Sequence, residues 1–158
     1  MYLKPKQLIL ILCLCIGSSL HAQNVTDRYI EKFLPVAQDL KEEWGIPISI
    51  ILGVSILESG SGTSMNAKQM NNYFGVRGKN HIKHRKSTYK QFSSAKDSFE
   101  SFCRMIATKK FYEKLKGNMN YHTWLTSMNA ANYAGAKGVW IQRVGGVIKK
   151  FNLGLYDK

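Results

Sequence analysis

The stretch Pro47–Arg77, PISIILGVSILESGSGTSMNAKQMNNYFGVR, decides the fold of this chain. Its first part is apolar at nearly every position, which predicts a helix buried on almost all sides. Gly60 is typical of a helix C-terminus, so Glu58 should lie at the negative end of the helix dipole with an apolar body behind it. Both features favour a protonated carboxyl group, the form that a general acid needs. On spacing alone, a glutamate that closes the helix and points into water explains the pattern equally well.

The first 22 residues have the layout of a secretory signal peptide. Lys4 and Lys6 precede the apolar run Leu8–Ile16, and small residues lead to a cleavage site after Ala22. The run is shorter than the roughly 20 residues that a membrane-spanning helix needs. We therefore predict a leader over residues 1–22 and one secreted or periplasmic domain over residues 23–158, with no stable membrane insertion once the leader is removed.

The charge of the chain is strongly positive, at +13, and +11 once Lys4 and Lys6 leave with the leader. A basic exported domain favours an anionic partner, which by charge alone is a cell-wall polymer, a lipid surface or nucleic acid. Cys103 is the one cysteine outside the leader. It lies at helical spacing from Phe99, Phe102 and Ile106, which predicts a buried core thiol rather than a nucleophile.

The remaining pattern predicts a mostly helical α+β domain with a small β-hairpin lobe. The hairpin is expected from two short segments, Tyr73–Arg77 and Ser87–Phe92, on either side of a turn. In the first long helix, Thr26 is the expected N-cap and Pro35 is expected to kink or restart the helix. The predicted helices are Asp27–Trp44, the buried helix from Pro47, a short helix near Ser64–Asn71, one opened by a Ser94/Asp97 capping box and running to about Lys109, Phe111–Leu115, Tyr121–Ala130 capped by Asn120, and Val139–Phe151.

Other candidate sites are weak. His81 and His84 have the spacing of a metal pair but no Cys or carboxylate beside them, so no metal site and no cofactor are expected. Trp44, Trp124 and Trp140 fall at core-facing helical positions and are interpreted as packing residues. The basic lobe has aromatic neighbours that suit single-stranded nucleic acid in the abstract, but an exported protein has less use for that partner.

The motif from Glu58 to Arg77 resembles a known family. Glu58-Ser59-Gly60, Gly62, Ser64 and Ala67, followed by Asn72–Arg77, are similar to the pattern of bacterial glucosaminidase domains of glycoside hydrolase family 73. That pattern reads Glu-Ser-Gly-Trp-Gly-x-Ser-x-x-Ala and then Asn-x-Phe-Gly-Ile-Lys, and the spacing agrees without a gap. These domains occur in flagellar peptidoglycan hydrolases and autolysins. The likeness extends over nearly all of the chain after the leader.

The resemblance implies a lysozyme-like fold and an endo-acting enzyme that cuts peptidoglycan strands after N-acetylglucosamine. It implies that Glu58 is the general acid and that Tyr133 lines the cleavage site. The substrate-binding residues it implies are Asn72, Tyr73, Phe74 and Gly75, which shape the floor of the groove, and Tyr89. Protonation of the glycosidic oxygen by an acid agrees with the reading of Glu58 from its helix alone.

The sequence departs from the family pattern in three places. Ser61 replaces a tryptophan, Gly135 and Ala136 replace a Thr-Asp pair, and no acidic residue lies between Glu58 and Asp97. Glycosidases usually need two carboxylates, so three mechanisms stay open. The 2-acetamido oxygen of the substrate attacks the anomeric carbon, or Asp97 or Glu100 supplies the second carboxylate, or the site is inactive and the protein is a binder. We favour the first.

The alternatives at the level of function are an N-acetylmuramidase or lytic transglycosylase, which share the fold and the acidic glutamate, and a non-catalytic wall-binding or assembly protein. The Asn-x-Phe-Gly segment favours the glucosaminidase. The expected partners are peptidoglycan strands and anionic wall polymers, and no nucleic acid. No wall-binding repeat is visible, so the basic surface or a protein partner is expected to localise the enzyme.

Overall fold

The structure is a computed structural model that describes residues 5–83, 86–133, 135 and 138–158, with side chains from residue 24 onward. His84 and Ala136, for which predictions were made above, lie outside these ranges. Helices dominate the described part. In chain order they are α1 (Pro5–Trp44), α2 (Ile48–Ser59), α3 (Met65–Met70), α4 (Ala95–Ala107), α5 (Tyr112–Leu115), α6 (Tyr121–Ala130), α7 (Val139–Lys150) and a final 3-10 helix (Leu153–Asp157).

Helix α2 lies at the centre of the core, as its sequence predicts. It packs against α1, α6, α7 and the 3-10 helix, and every residue from Ile48 to Ile56 is buried. Helix α7 comes close at Gly53, where a Cβ atom would lie 2.7 Å from Cγ1 of Ile148. A helix enclosed on all sides has one orientation that buries it, so the end of α2 occupies a fixed position in the molecule.

The long helix α1 differs from two predictions. It continues without a break through Pro35, and Thr26 lies inside it instead of capping its start. A proline inside a helix costs about 3 kcal/mol because a backbone hydrogen bond is lost. The side chains on either side of Pro35, which include Phe33 and Ala37, are buried against the core and hold the helix together. Among the described residues, none of the helices is long and apolar enough to cross a membrane.

The predicted hairpin lobe is not confirmed, since the described residues contain no β-strand. Arg77 and Tyr89 form an isolated antiparallel bridge. Beside it, the backbone N–H of Lys90 donates to the carbonyl of Val76 at 2.8 Å. The two segments therefore run antiparallel, as predicted, but Gly75 with a φ of +66° interrupts the extended backbone next to the bridge and leaves too few consecutive pairs for a strand.

Several local predictions are confirmed. The side chains of Ser94 and Asn120, both predicted as caps, accept hydrogen bonds from backbone N–H groups in the first turns of α4 and α6. Ser64, which was not predicted as a cap, does the same at the start of α3. Each supplies an acceptor that the start of a helix otherwise lacks. Cys103 is fully buried in α4, and this burial raises the pKa of its thiol well above the ordinary value, so it is a core residue as predicted.

The N-terminus of α2 is capped from the far end of the chain. Asp157 is buried, and its Oδ1 accepts the backbone N–H of Ser49 at 2.9 Å. Lys41 Nζ donates to the backbone carbonyl of Asp157 at 3.0 Å and ties α1 to the same residue. Burial raises the pKa of Asp157, against the opposing effect of these hydrogen bonds. The last turn of the chain thus anchors the helix that carries Glu58.

Replacing Asp157 tests this anchor. We expect Asp157→Ala to lower the free energy of unfolding by about 1–3 kcal/mol, because a buried N–H loses its acceptor. Asp157→Asn keeps an acceptor oxygen and removes the charge, so it should lose less at neutral pH. Urea denaturation measures both.

The pH dependence of the free energy of unfolding provides a control for the role of Asp157. The folded-state pKa of Asp157 is raised, so its stabilising contribution is full below the unfolded pKa of about 4 and is lost as pH rises through the folded pKa. Wild type should therefore lose stability relative to Asp157→Asn over that range. Parallel pH curves for the two proteins, or an alanine variant as stable as wild type, would contradict the assignment.

Candidate active site

A groove with a volume of about 480 Å³ opens at the C-terminal end of α2. Its walls come from four parts of the chain: the end of α2, the segment after α3, helix α4 with the turn that follows it, and the segment between α6 and α7. The lining residues are Glu58, Phe74, Gly75, Val76, Arg77, Tyr89, Ser101, Met105, Lys109, Asn132, Tyr133 and Gly135.

Glu58 stands at this groove because α2 ends there. Gly60 follows with a left-handed φ of +57° and donates its N–H to the carbonyl of Ile56, which closes the helix as predicted. Glu58 is exposed, so the apolar helix body lies behind it while the carboxyl group itself faces solvent in the open groove. A Cβ atom built on Gly75 would lie 3.7 Å from Oε2 of Glu58, so this oxygen faces the wall at Gly75.

Trp140 holds the other oxygen of the carboxyl group. Its indole Nε1 donates to Oε1 of Glu58 at 3.0 Å, and its side chain is only 5% exposed. Burial confirms the prediction that Trp140 is a packing residue, whereas its hydrogen bond to Glu58 was not predicted. The two residues are separated by 82 positions in the sequence, and no local pattern links a residue in α7 to one in α2.

Tyr133 lies in the same groove, next to both of these residues. Its ring centroid is 5.0 Å from that of Trp140. The rings of Tyr133 and Phe102 form a T-shaped pair with centroids 6.1 Å apart. Burial, and secondarily the charge of Glu58, raise the pKa of the Tyr133 hydroxyl far above its ordinary value. Tyr133 therefore stays protonated over the whole physiological range and offers an O–H donor to the groove.

The other residues that the resemblance assigned to substrate binding fall into two groups. Phe74, Gly75 and Tyr89 line the groove. Asn72 and Tyr73 lie behind its wall. Tyr73 is buried between aromatic rings of α1 and α4, with centroids 5.1 Å from Phe33 and 5.7 Å from Phe99.

Asn72 braces the wall instead of lining it. Its Nδ2 donates to the carbonyls of Val76 and Lys90, both at 2.8 Å, and its Oδ1 accepts the N–H of Val76 at 3.0 Å. One side chain thus ties together the two antiparallel segments that carry Gly75 and Tyr89. In this fold, the asparagine of the motif sets the shape of the groove wall from behind.

Ser61, which stands where the family pattern has a tryptophan, does not line the groove. Its hydroxyl is 2.7 Å from that of Thr26, and its backbone is left-handed with a φ of +53°. The hydrogen bond between the hydroxyls of Ser61 and Thr26 connects the turn after α2 to α1. The prediction of Thr26 as an N-cap is wrong because α1 begins before it, at Pro5.

Asp97 and Glu100 do not reach Glu58. They line a neighbouring pocket formed by α4 and the segment Lys90–Ser93. Among the described residues, Glu58 is the one carboxyl group that lines the groove. The residues outside the described ranges include no Asp or Glu, so they cannot supply a second one. Within the described ranges, no three His, Cys, Asp or Glu side chains lie close enough together to hold a metal ion.

Two cations of the groove were not predicted as site residues. Arg77 and Lys109 both line it. The guanidinium of Arg77 donates to Oγ1 of Thr88 at 2.9 Å and lies 5.7 Å from the centroid of the Tyr89 ring. Lys109 follows α4 on the side that carries Met105. Arg77 was visible in the motif, but nothing in the sequence shows that Lys109 lines the same groove.

Comparison with known proteins places this geometry in a family. Residues 34–153 match the family model described as Glucosaminidase, mannosyl-glycoprotein endo-beta-N-acetylglucosaminidase. None of the curated proteins matches the sequence. Since the family model covers most of the chain, the protein belongs to the glucosaminidase family and is a glycoside hydrolase, as the motif predicted.

Solved structures agree on the fold. The catalytic domain of the autolysin Auto from Listeria monocytogenes is 20% identical with a TM-score of 0.68, and the match covers 84% of this chain and 88% of that one. The glycoside hydrolase domain of FlgJ from Salmonella typhimurium is 18% identical with a TM-score of 0.63, covering 80% and 88%. A peptidoglycan hydrolase mutant from Sphingomonas sp. A1 is 15% identical with a TM-score of 0.64, covering 82% and 96%. The predicted mostly helical hydrolase fold is thereby confirmed.

The bracing role of Asn72 yields a prediction about stability. We expect Asn72→Ala to lower the free energy of unfolding by about 2–4 kcal/mol, because the N–H of Val76 and the carbonyl of Lys90 lose their partner, while the carbonyl of Val76 keeps the N–H of Lys90. Asn72→Asp keeps the acceptor for Val76 N–H but turns a carboxylate oxygen toward two carbonyls, so it should be at least as damaging. Urea denaturation monitored by tryptophan fluorescence measures both. Wild-type stability in either variant would mean that Asn72 serves the substrate and not the wall.

Proposed function

We propose that the protein is an exported endo-β-N-acetylglucosaminidase that cleaves peptidoglycan strands, with Glu58 as the general acid. The observation that carries this proposal is a single carboxyl group in an open groove, held on one oxygen by Trp140 and flanked by Tyr133. Peptidoglycan as substrate is supported by the solved structures of similar fold, one of which is a peptidoglycan hydrolase. The basic charge and the leader-like N-terminus support an exported enzyme that works on an anionic cell wall.

The hydrogen bond from Trp140 assigns the two oxygens of Glu58 different roles. An indole N–H can only donate, so Oε1 acts as an acceptor in every protonation state. The proton to be transferred therefore sits on Oε2, which faces Gly75 and the groove. Glu58 then donates the proton to the glycosidic oxygen as the bond to the anomeric carbon breaks.

The lack of a second carboxylate among the residues lining the groove favours participation by the substrate. The 2-acetamido oxygen of the N-acetylglucosamine unit attacks the anomeric carbon as the leaving oxygen takes the proton of Glu58, which gives a cyclic oxazolinium ion. Water then attacks the same carbon and reopens the ring, while the Glu58 carboxylate accepts the proton that water releases. The neutral Tyr133 hydroxyl is positioned to orient the acetamido group by hydrogen bonding.

The direct test is the replacement of Glu58. We expect Glu58→Gln to lower the rate of glycan cleavage by about a thousandfold, because the amide cannot protonate the leaving oxygen. Glu113→Gln, the same change at an exposed glutamate in the short helix α5, is the control and should act as wild type. The assay measures soluble fragments released from purified sacculi. Cleavage by Glu58→Gln at the wild-type rate would end the proposal.

The products identify the bond that is cut. Mass spectrometry of the wild-type digest should find reducing-end N-acetylglucosamine. Reducing-end muramic acid would instead show an N-acetylmuramidase, and anhydromuramic ends a lytic transglycosylase. Binding to sacculi without release of fragments by any variant would favour a non-catalytic wall-binding protein.

The role of Trp140 yields a second test. Trp140→Phe keeps an aromatic ring but removes the N–H donor, so we expect kcat to fall by about tenfold through loss of the aligned carboxyl group. Trp124→Phe is the matched control, since its indole donates to the carbonyl of Asn118 away from the groove. A fall in kcat of similar size in both variants would contradict the assignment.

A further inference from the structure

The neighbouring pocket carries charges that the proposed cleavage reaction does not use. It has a volume of about 350 Å³ and adjoins the groove at Ser101, which lines both. One wall is a stripe of α4 and the other is the segment that follows Tyr89. We name it the α4 pocket, and it is lined by Lys90, Gln91, Phe92, Ser93, Asp97, Glu100, Ser101 and Arg104.

Its charged groups are of both signs and are not matched to one another. Asp97 is half-buried, and its carboxylate makes no hydrogen bond or ion pair with the described residues. Only its backbone N–H is used, by Oγ of Ser94 at 3.1 Å, so the capping box is formed on one side only. Arg104 is exposed and also has no carboxylate within 4.0 Å in the described part of the chain. The α4 pocket thus offers an open acceptor and an open donor.

The other charged residues of the α4 pocket, Lys90 and Glu100, form no ion pair with Asp97 or Arg104 in the described part of the chain. Glu100 lies 3.8 Å from Lys96, a surface contact that contributes little because water screens it. Lys90 Nζ lies 4.6 Å from the centroid of the Phe92 ring, so its stem and the ring together form an apolar patch beside the charges. A ligand that suits all of these features carries an ammonium group, a carboxylate and short apolar side chains.

We infer that the α4 pocket binds the peptide stem of peptidoglycan. This inference rests on the proposed function, because the glycan in the groove is what brings the stem to the pocket. Stems branch from alternate sugars of the strand, and the pocket adjoins the groove at a shared residue. A stem carries free carboxylates for Arg104 and Lys90 and, at its diamino acid, an amine for Asp97. A bare glycan offers only neutral groups, and a polyanion such as nucleic acid is repelled by Asp97 and Glu100.

The experiment compares two substrates. Purified sacculi are digested either intact or after an amidase has removed the stems, and the initial rate of cleavage is measured on each. For Asp97→Asn and for Arg104→Gln we expect the ratio of the rate on intact strands to that on stripped strands to fall by about fivefold relative to wild type. Glu113→Gln, a change at an exposed acid that does not line the α4 pocket, should keep the wild-type ratio. An unchanged ratio in both pocket variants would overturn the inference, as would an equal loss on both substrates.

A binding measurement separates this inference from the proposed activity and from a free amino acid as ligand. Synthetic stem tetrapeptide or free lysine is titrated into the full chain, and amide NMR shifts are followed. We expect the tetrapeptide to shift the signals of Ser101 and Arg104, with a smaller response in Asp97→Asn, and lysine to shift them only weakly. Equal responses to both would show a general amino-acid site, and no response to the tetrapeptide would overturn the inference. Glu58→Gln should bind the tetrapeptide as wild type does, so loss of cleavage and loss of stem binding are distinguished.

Discussion

The enclosure of α2 is the constraint on which the rest of the structure depends. From Ile48 to Ser59 only Leu57 and Glu58 escape full burial, so the helix fits the core in one orientation. A buried helix must satisfy its terminal backbone groups within the protein. At the N-terminus Asp157 supplies an acceptor, and at the C-terminus the left-handed turn at Gly60 closes the last carbonyls. Glu58 is thus presented to the groove because every other side of its helix is occupied.

The position of α2 also fixes two other parts of the groove, Trp140 in α7 and Tyr133 in the segment before it. Helix α7 packs on α2, and this packing brings the Trp140 ring into contact with both the carboxyl group of Glu58 and the ring of Tyr133. The same ring therefore fills space and orients a reactive group. A buried indole needs a partner for its N–H, and here the partner is the carboxylate of the proposed catalytic residue. Any replacement of Trp140 therefore changes both the packing of α7 on α2 and the hydrogen bonding of Glu58.

Features that depend on residues close together in the sequence could be predicted, and those that depend on distant residues could not. Helix α2, its end at Gly60 and the buried thiol of Cys103 follow from local apolar spacing, and all three are confirmed. The hairpin was predicted from local residue types, which do not show that Gly75 interrupts the extended backbone. The kink predicted at Pro35 is wrong for a different reason. There the packing of the helix against the core outweighs the tendency of proline to interrupt a helix.

The candidate site divides in the same way. Glu58 and Tyr133 could be named from a motif, and the structure brings them into one groove, but their catalytic roles stay a prediction. The contact between Trp140 and Glu58 joins α7 to α2 and leaves no trace in the local sequence. The cations Arg77 and Lys109 likewise meet only in the folded chain. In the proposed reaction Glu58 serves as the acid, so no second carboxylate among the described lining residues is left to donate electron density to the anomeric carbon. The acetamido oxygen of the bound sugar is the nearest remaining donor, and this is why the lack of a second acid in the groove favours the proposed participation of the substrate.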